Sequence, residues 1–467
     1  MSMRTDVLTT VRPVNLGLDT FADALRAQGA PVVEVDWRPP AGGDPELLAL
    51  LTALWGRHGD TVRAANEEAV RRIEACSPQA VTVAPAGTVV PGLEDGMLLH
   101  SGPPIEWERV CDPQRRAMVA AVLFEGWAAS REEASALLAR GEVRLESGNE
   151  HAHVGPMTGV CSPSMPVWVV EDGDRRAFST LNEGPGRTLW FGVGDDESVE
   201  RLRFFRDDLG PRLAQMLERR GPVDVFGLAA QGLNMGDELH LRSQATGNLL
   251  MRELFPALAV VGGEEAARFI AGNHHFFLNL TMAASKCASL ALADCHGSSV
   301  VSLMSRNGTD VGIQLAGMPG RWFIAPAAPV SDALLREGNS ADDAALDIGD
   351  SAVIECIGLG GMALAAAPVV ASFFGGDAAA AVARTELMGE ICAARSERFT
   401  ITNRDGAGTP VGIDARLVVE LGVTPQITTG VLHKSAGTGQ IGAGVAHQPV
   451  EPFRDAIAAL VEELDRA

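Results

Sequence analysis

Tyrosine is missing entirely from this 467-residue chain, so no phenol is available for acid–base chemistry. Cysteine is scarce: seven residues lie scattered between Cys76 and Cys392, with no Cys-x-x-Cys pair. That excludes a disulfide framework and fits small core residues in a reducing cytoplasm. Basic charge is the third shortage. With 38 Lys and Arg against 60 Asp and Glu, the formal charge is -22, which argues against nucleic acid or an anionic membrane as partner, because a phosphate surface needs a basic face. No uncharged apolar run of about 18 residues occurs, and the N-terminus lacks the basic segment and apolar run of a signal peptide. A cytoplasmic protein is therefore expected. The nearest candidate for a span, residues 354–374, is rich in Ala and Gly and carries Glu355, so it reads as a buried helix. No Gly-x-Ser-x-Gly elbow is present to support serine-hydrolase chemistry.

What the chain does have is apolar residues, 46% of the total, enough for two to four domains at ordinary domain size. The expected fold class is α/β and multidomain: a Rossmann-like N-terminal domain, a small helical insert, and α/β to α+β C-terminal domains. Residues 7–11 are strand-like, Leu18, Phe21 and Leu25 recur at helical spacing, and residues 32–37 form a second apolar run, which together make a Rossmann-like half unit. Its loop, residues 12–17, lacks the three-glycine dinucleotide fingerprint. This first domain is placed at 1–105, with a further strand at 80–84. Charged and apolar residues then alternate at helical spacing over 106–140, the insert. Domain 141–225 takes apolar runs at 167–170 and 189–193 as strands. Domain 226–467 takes long helices at 238–258 and 279–293, strands at 300–304, 311–315 and 321–325, and a closing amphipathic helix at 452–464.

Glycine, 51 residues in all, crowds around polar side chains in the last quarter: Asp347-Ile-Gly-Asp350-Ser351, Gly358-Leu-Gly-Gly361, Gly412-Ile-Asp414-Ala-Arg416, and residues 428–444 with His433, Lys434, Gly437, Gly439 and Gln440. Glycine packs poorly and costs backbone entropy, so such density predicts backbone held close to a small polar or anionic ligand. His433 and Lys434 beside a glycine loop would make an anion cradle, although the lysine precedes the glycines and the Walker spacing is absent. The alternative is a structural turn. His151 and His153 would share one face of a strand, as metal ligands do, but no third ligand stands at a usual spacing, so no metal is expected. Glu238 and Arg242, four apart, fit a helix start with an ion pair. Asn273-His274-His275 opens a helix, and His274 is the acid–base candidate. Ser305-Arg306-Asn307-Gly308 reads as a hairpin tip whose Arg306 could fork onto a carboxylate or phosphate, with a plain solvated hairpin as the alternative.

Taken together, residues 14–18 and 35–44, Val154-Gly-Pro-Met157, Ser162-Pro-Ser-Met-Pro166, Asn273-His-His-Phe-Phe-Leu278, Arg306-Asn-Gly308, the 347–351 run, Gly412-Ile-Asp414 and His433-Lys434 resemble a bacterial family of formerly unknown function. That family includes the large subunit of oxamate carbamoyltransferase, and the resemblance covers essentially the whole chain. It implies carbamoyl transfer in allantoin and purine breakdown: oxalurate plus phosphate giving oxamate and carbamoyl phosphate, or the same step on another small anionic ureido compound. It also implies partners, namely a subunit similar to the succinyl-CoA synthetase α chain and a small third subunit, in an oligomer without a cofactor. It carries no catalytic residues with it, so the roles follow from the chemistry. Lys434 with the backbone of Gly437 to Gly444 is expected to hold phosphate, Arg306 or Arg416 the substrate carboxylate, and His433 or His274 the leaving-group proton, with Asp414, Asn307, Asn273, Asp350, Ser351, Gln440, His151 and His153 as further binding candidates. The competing classes are a ureide amidohydrolase using water and a non-catalytic scaffold subunit.

Overall fold

The computed structural model describes residues 13–16, 18–35, 39–435 and 437–467. It is a mixed α/β protein with several small sheets. At its start, strands Val14–Leu16 and Val33–Val35 pair in parallel around helix Asp19–Arg26; the strand expected at 7–11 lies outside the described residues. Among the described residues this β-α-β unit is a two-stranded sheet, and the Rossmann-like expectation for 1–105 is not confirmed. The later strands of that segment pair elsewhere. Gln79–Pro85 runs antiparallel to Pro166–Asp172 and to Val223–Asp224, and Met97–His100 pairs with Arg144–Ser147 and Val160–Cys161. Sheets thus join residues on both sides of positions 105 and 140. Between them stand two helices, Asp112–Glu125 and Arg131–Ala139; the second is capped by the Ser130 hydroxyl, which accepts from Glu133 N.

Helix Leu278–Leu290 is buried along nearly its whole length, so its residues are mostly small or apolar all round rather than striped, with Asn279, Thr281, Ser285 and Lys286 buried among them. It packs chiefly on strands Pro166–Asp172 and Arg175–Thr180 and also meets strand Val301–Asn307 of the sheet Phe323–Pro326, Asp310–Leu315, Val301–Asn307, Ile348–Gly349, whose two central strands are buried on both faces. The amphipathic C-terminal helix Glu451–Arg466 covers a second core with Phe453, Ile457 and Leu460.

Four local expectations fail, each for a visible reason. Residues 189–193 are turns, not a strand: the buried Glu183 carboxylate accepts from Leu189 N at 2.7 Å and Trp190 N at 3.0 Å and curls the chain around itself. Residues 354–367 are buried, but Gly358 and Gly360 at positive φ break 354–374 into short 3-10 and α-helical turns rather than one helix. The helix expected from 238 begins at Gln244, because the Glu238 side chain takes Leu241 N and Arg242 N and folds 238–242 into a loop. His151 and His153 are not on a strand; Gly148–His151 is a 3-10 turn ended by Ala152 at φ 55°. The glycine-dense 428–444 segment is a β-hairpin, Gln426–Leu432 with Gln440–His447, and its glycines let strand Asp332–Leu335 approach closely.

Candidate functional site

Segments far apart in sequence close around one small cavity of ≈ 30 Å³. Met157, Trp190, His240, His275, Ser351, Gly430 and Gln440 all face it. It adjoins an open groove of ≈ 360 Å³, and the two share Leu241, His275 and Gln440. In a chain of charge -22, no acidic side chain among the described residues lines either space. Among the described residues, Arg336, in the groove, is the one charged group in their linings.

Asp350 fixes the floor. Its carboxylate, fully buried, accepts from Gly102 N (2.8 Å), Gly155 N (2.9 Å), Asn149 Nδ2 (3.0 Å) and the Ser305 hydroxyl. Burial raises its pKa against those four bonds. The Gly155 contact pins Pro156 and Met157 beside Gly349, and Met157 is held at φ 52°, a conformation an L side chain rarely adopts. Next along the chain, the Ser351 hydroxyl is buried without a hydrogen-bond partner.

The histidines arrive by different routes. Asn273 Oδ1 accepts His275 N (3.0 Å) while its amide donates to the Asn182 carbonyl (2.9 Å), and this turn aims His275 inward, edge-on to Trp190 at 6.1 Å between ring centroids. His275 Nδ1 has no partner among the described residues, and burial, with the neighbouring His274 and His240 adding to it, lowers its pKa to about 4, so the ring is neutral at pH 7. His240 follows Leu239, a second residue at positive φ (76°). Its Nδ1 lies 2.8 Å from Glu355 Oε1, where an Nδ1–H donated to the carboxylate leaves Nε2 as an acceptor. Glu355 is in turn held by Gly361 N at 3.0 Å, and a side chain at Gly360 would overlap the carboxylate. The anion cradled by Gly358-Leu-Gly-Gly361 is therefore the protein's own Glu355. Glu238, pushed up to about 7 by burial, also accepts from Thr428 Oγ1 (3.2 Å), tying the hairpin that carries Gln440 to the His240 loop.

Of the residues singled out in the sequence, Ser351 and Gln440 line the cavity, and Asp350 and Asn273 hold its walls. The others lie apart. Arg306 is fully buried in a two-pronged ion pair with Asp347 (2.8 and 3.0 Å) and also donates to the Gly349 carbonyl, so it cannot clamp a ligand at a hairpin tip. Asn307 shapes the turn, accepting from Thr309 N and Asp310 N. Arg416 is held by Asp414 (2.7 Å) and covered by the Trp55 ring at 4.0 Å, in a different pocket. His274 is exposed; its neighbour is the residue that turns inward. The His433 ring is engaged by the Ser435 backbone, Lys434 is exposed, and Gly437 and Gly439 pack against Val193 rather than forming a cradle. Both His151 nitrogens are occupied, by the Pro91 carbonyl and Glu146, and His153 is buried with its pKa lowered to about 3 by burial. Among the described residues no group of three or more His, Cys, Asp or Glu is placed to hold a metal ion.

Sequence reasoning passed over His240, His275, Glu355 and Arg336, and also Lys286. The last is a buried lysine on helix Leu278–Leu290 whose side chain forms no ion pair or hydrogen bond among the described residues; burial lowers its pKa to about 8, with Asp350 and Glu150 opposing. A lysine inside an otherwise small and apolar run is the one signal that could have found it.

The small cavity with two histidines and an unpartnered hydroxyl, opening on a groove without acidic side chains among the described residues, is the candidate site of this mixed α/β protein. The family model described as oxamate carbamoyltransferase subunit AllG matches residues 143–351. Over 416 residues the chain is 41% identical to the oxamate carbamoyltransferase subunit AllG of Escherichia coli (strain K12), covering 86% of this chain and 99% of that one. It is 35% identical over 457 residues to the uncharacterized protein YahG of the same strain, 96% and 97% of the two chains. A crystal structure of a conserved protein of unknown function from Enterococcus faecalis V583 superposes with a TM-score of 0.84 at 36% identity, covering 86% of this chain and 98% of that one. The chain belongs to the AllG family. Among the described residues no helix is long and apolar enough to cross a membrane.

Proposed function

We propose that this chain is the carbamoyl-transferring subunit of an oxamate carbamoyltransferase-type complex in the cytoplasm, and that the reaction takes place in the groove where it meets the His275–Ser351 cavity. The observation that carries the reading is an anion-compatible, acid-free pocket in a strongly acidic member of this family. In the forward direction an oxygen of hydrogen phosphate attacks the carbamoyl carbon of oxalurate. The bond from that carbon to the amide nitrogen breaks, and the proton carried in by phosphate ends on the leaving nitrogen, giving carbamoyl phosphate and oxamate. A neutral His275 with a free Nδ1 can relay that proton. The Ser351 hydroxyl and the Gln440 amide are donors for the oxygen that gains charge as the carbonyl becomes tetrahedral. His240, oriented by Glu355, offers an acceptor to the carbamoyl NH₂. Arg306, held by Asp347 and the Gly349 carbonyl, and Arg416, paired with Asp414 in a different pocket, have no part in this scheme.

The expected partners are a subunit similar to the succinyl-CoA synthetase α chain and a small third subunit. The test is carbamoyl phosphate formation from oxalurate and phosphate by the chain alone and with those partners. Product only in the mixture supports the proposal. Ureide breakdown without phosphate identifies a hydrolase instead, and no reaction in any combination discards the transfer reading.

A further inference from the structure

The groove outside the cavity holds a recognition element that the reaction scheme leaves unused. Nearly every arginine that lines a cavity in this protein is committed: Arg63 to Asp60, Arg71 to Glu68, Arg395 to Glu386, Arg416 to Asp414. Arg336 is not. Its backbone N–H donates to the Ile441 carbonyl at 2.7 Å, which fixes the residue at the end of strand Asp332–Leu335, while its guanidinium forms no ion pair or hydrogen bond among the described residues. Around it the groove is apolar, with Leu334, Leu335 and Phe373, and leads through Gln440 to His275.

An unpaired guanidinium over an apolar, acid-free surface is where a protein of charge -22 can hold an anion. Elsewhere its own carboxylates compete for the cation, whereas no acidic side chain lines this groove among the described residues. The inner cavity, ≈ 30 Å³, admits a group about the size of one water, whereas the groove, ≈ 360 Å³, takes the rest of a small molecule. A ligand using both is short and linear, lying in the groove with one anionic end outward and a single oxygen or nitrogen of an amide-like end reaching into the cavity. Arginine reads a planar carboxylate through two parallel N–H bonds. We infer that Arg336 is the specificity-determining residue of this site and that it binds the carboxylate of short 2-oxo acid amides and their ureido derivatives. This rests on the carbamoyl-transfer reading for the identity of the inner group, but not for the carboxylate contact itself.

The test compares wild type, Arg336→Ala and Arg336→Lys in the assembled complex. Calorimetric binding of oxamate and of oxamide, the neutral analogue with an amide in place of the carboxylate, is measured beside KM and kcat for transfer from carbamoyl phosphate to oxamate. Arg336→Ala should raise the oxamate Kd and KM roughly 10- to 100-fold while leaving oxamide binding and the KM for carbamoyl phosphate unchanged, and Arg336→Lys should recover part of the loss. Because Arg336 is exposed, loss of fold does not confuse the result, and a merely structural role would weaken both ligands alike. Unchanged oxamate affinity, equal weakening of oxamide, or no oxamate binding to the wild-type complex at millimolar concentration overturns the inference. If the wild-type complex binds oxamate through Arg336 but transfers no carbamoyl group, the carboxylate site stands and the transfer reading falls.

Discussion

Arg306 has no exposed surface, and its guanidinium is occupied on every side by Asp347 and the Gly349 carbonyl, while Gln448 Nε2 reaches the same carboxylate at 3.1 Å. Removing one member of such a pair strands the other charge in the interior. Arg306→Met should therefore lower unfolding free energy by about 3–5 kcal/mol, read from urea denaturation. A variant with unchanged stability but lost activity would return Arg306 to the list of ligand-binding groups. His275 makes the opposite case. It packs against Trp190 yet leaves Nδ1 free, so His275→Ala should keep most of the stability and lower kcat about 10²- to 10⁴-fold. Since burial keeps its pKa near 4, wild-type activity should show no inflection from this residue between pH 6 and pH 8; a bell-shaped profile falling in that range would reassign the relay. The sequence alone picked His274 over His275. Two adjacent histidines at a helix start differ only in which way the turn throws them, and that is decided by Asn273 bonding to Asn182, a contact across ninety-one positions.

At the level of elements, the strands read from alternating or continuous apolar runs at 80–84, 167–170, 300–304, 311–315 and 321–325 correspond to strands of the structure, as does the helix closing the chain. Local pattern suffices there because burial of an apolar face is what forms the element. It fails where a buried carboxylate replaces backbone pairing, as Glu183 does for 189–193 and Glu238 for 238–242. Glycine was the most misleading residue type. Its density near the C-terminus reads as space for a ligand, yet Gly360 makes room for Glu355, and Gly442 and Gly444 for strand Asp332–Leu335. Gly360→Ala tests this at one position. The added Cβ would overlap the Glu355 carboxylate and strain a φ of 60°, so stability should fall by about 2 kcal/mol or more, and the His240–Glu355 bond should loosen with it. A thermal midpoint equal to wild type would mean that the 358–361 turn has room to spare and that a ligand role for its glycines deserves a return.

For the molecule as a whole, the buried titratable groups pull stability in opposite directions as pH changes. Glu183 and Glu238 are both raised by burial to about 7 from 4.5. A carboxyl with a raised folded pKa contributes fully below the unfolded value, and its contribution is lost as pH rises from about 4.5 to 7; for each group this amounts to on the order of 3 kcal/mol. His275 and His153, lowered by burial to about 4 and about 3 from 6.5, act the other way, since stability falls as pH drops below 6.5 and the unfolded chain takes up their protons. Over pH 4.5–6.5 the two sets offset one another, so the wild-type profile alone does not separate them, whereas a single substitution does. Glu183→Gln removes one ionisation while keeping an acceptor near Leu189 N and Trp190 N. Relative to wild type, the variant should be less favoured at pH 5, where the protonated Glu183 is well accommodated, and should gain steadily up to about pH 7.5, where the wild type must either hold a neutral carboxyl against solution pH or bury a charge. Thermal midpoints of the two proteins at half-unit pH steps give the difference directly. A constant offset across the range would mean that Glu183 is ionised in the folded protein throughout and that the 189–193 turn, and with it the Trp190 wall of the cavity, is built on a buried charge rather than a buried acid.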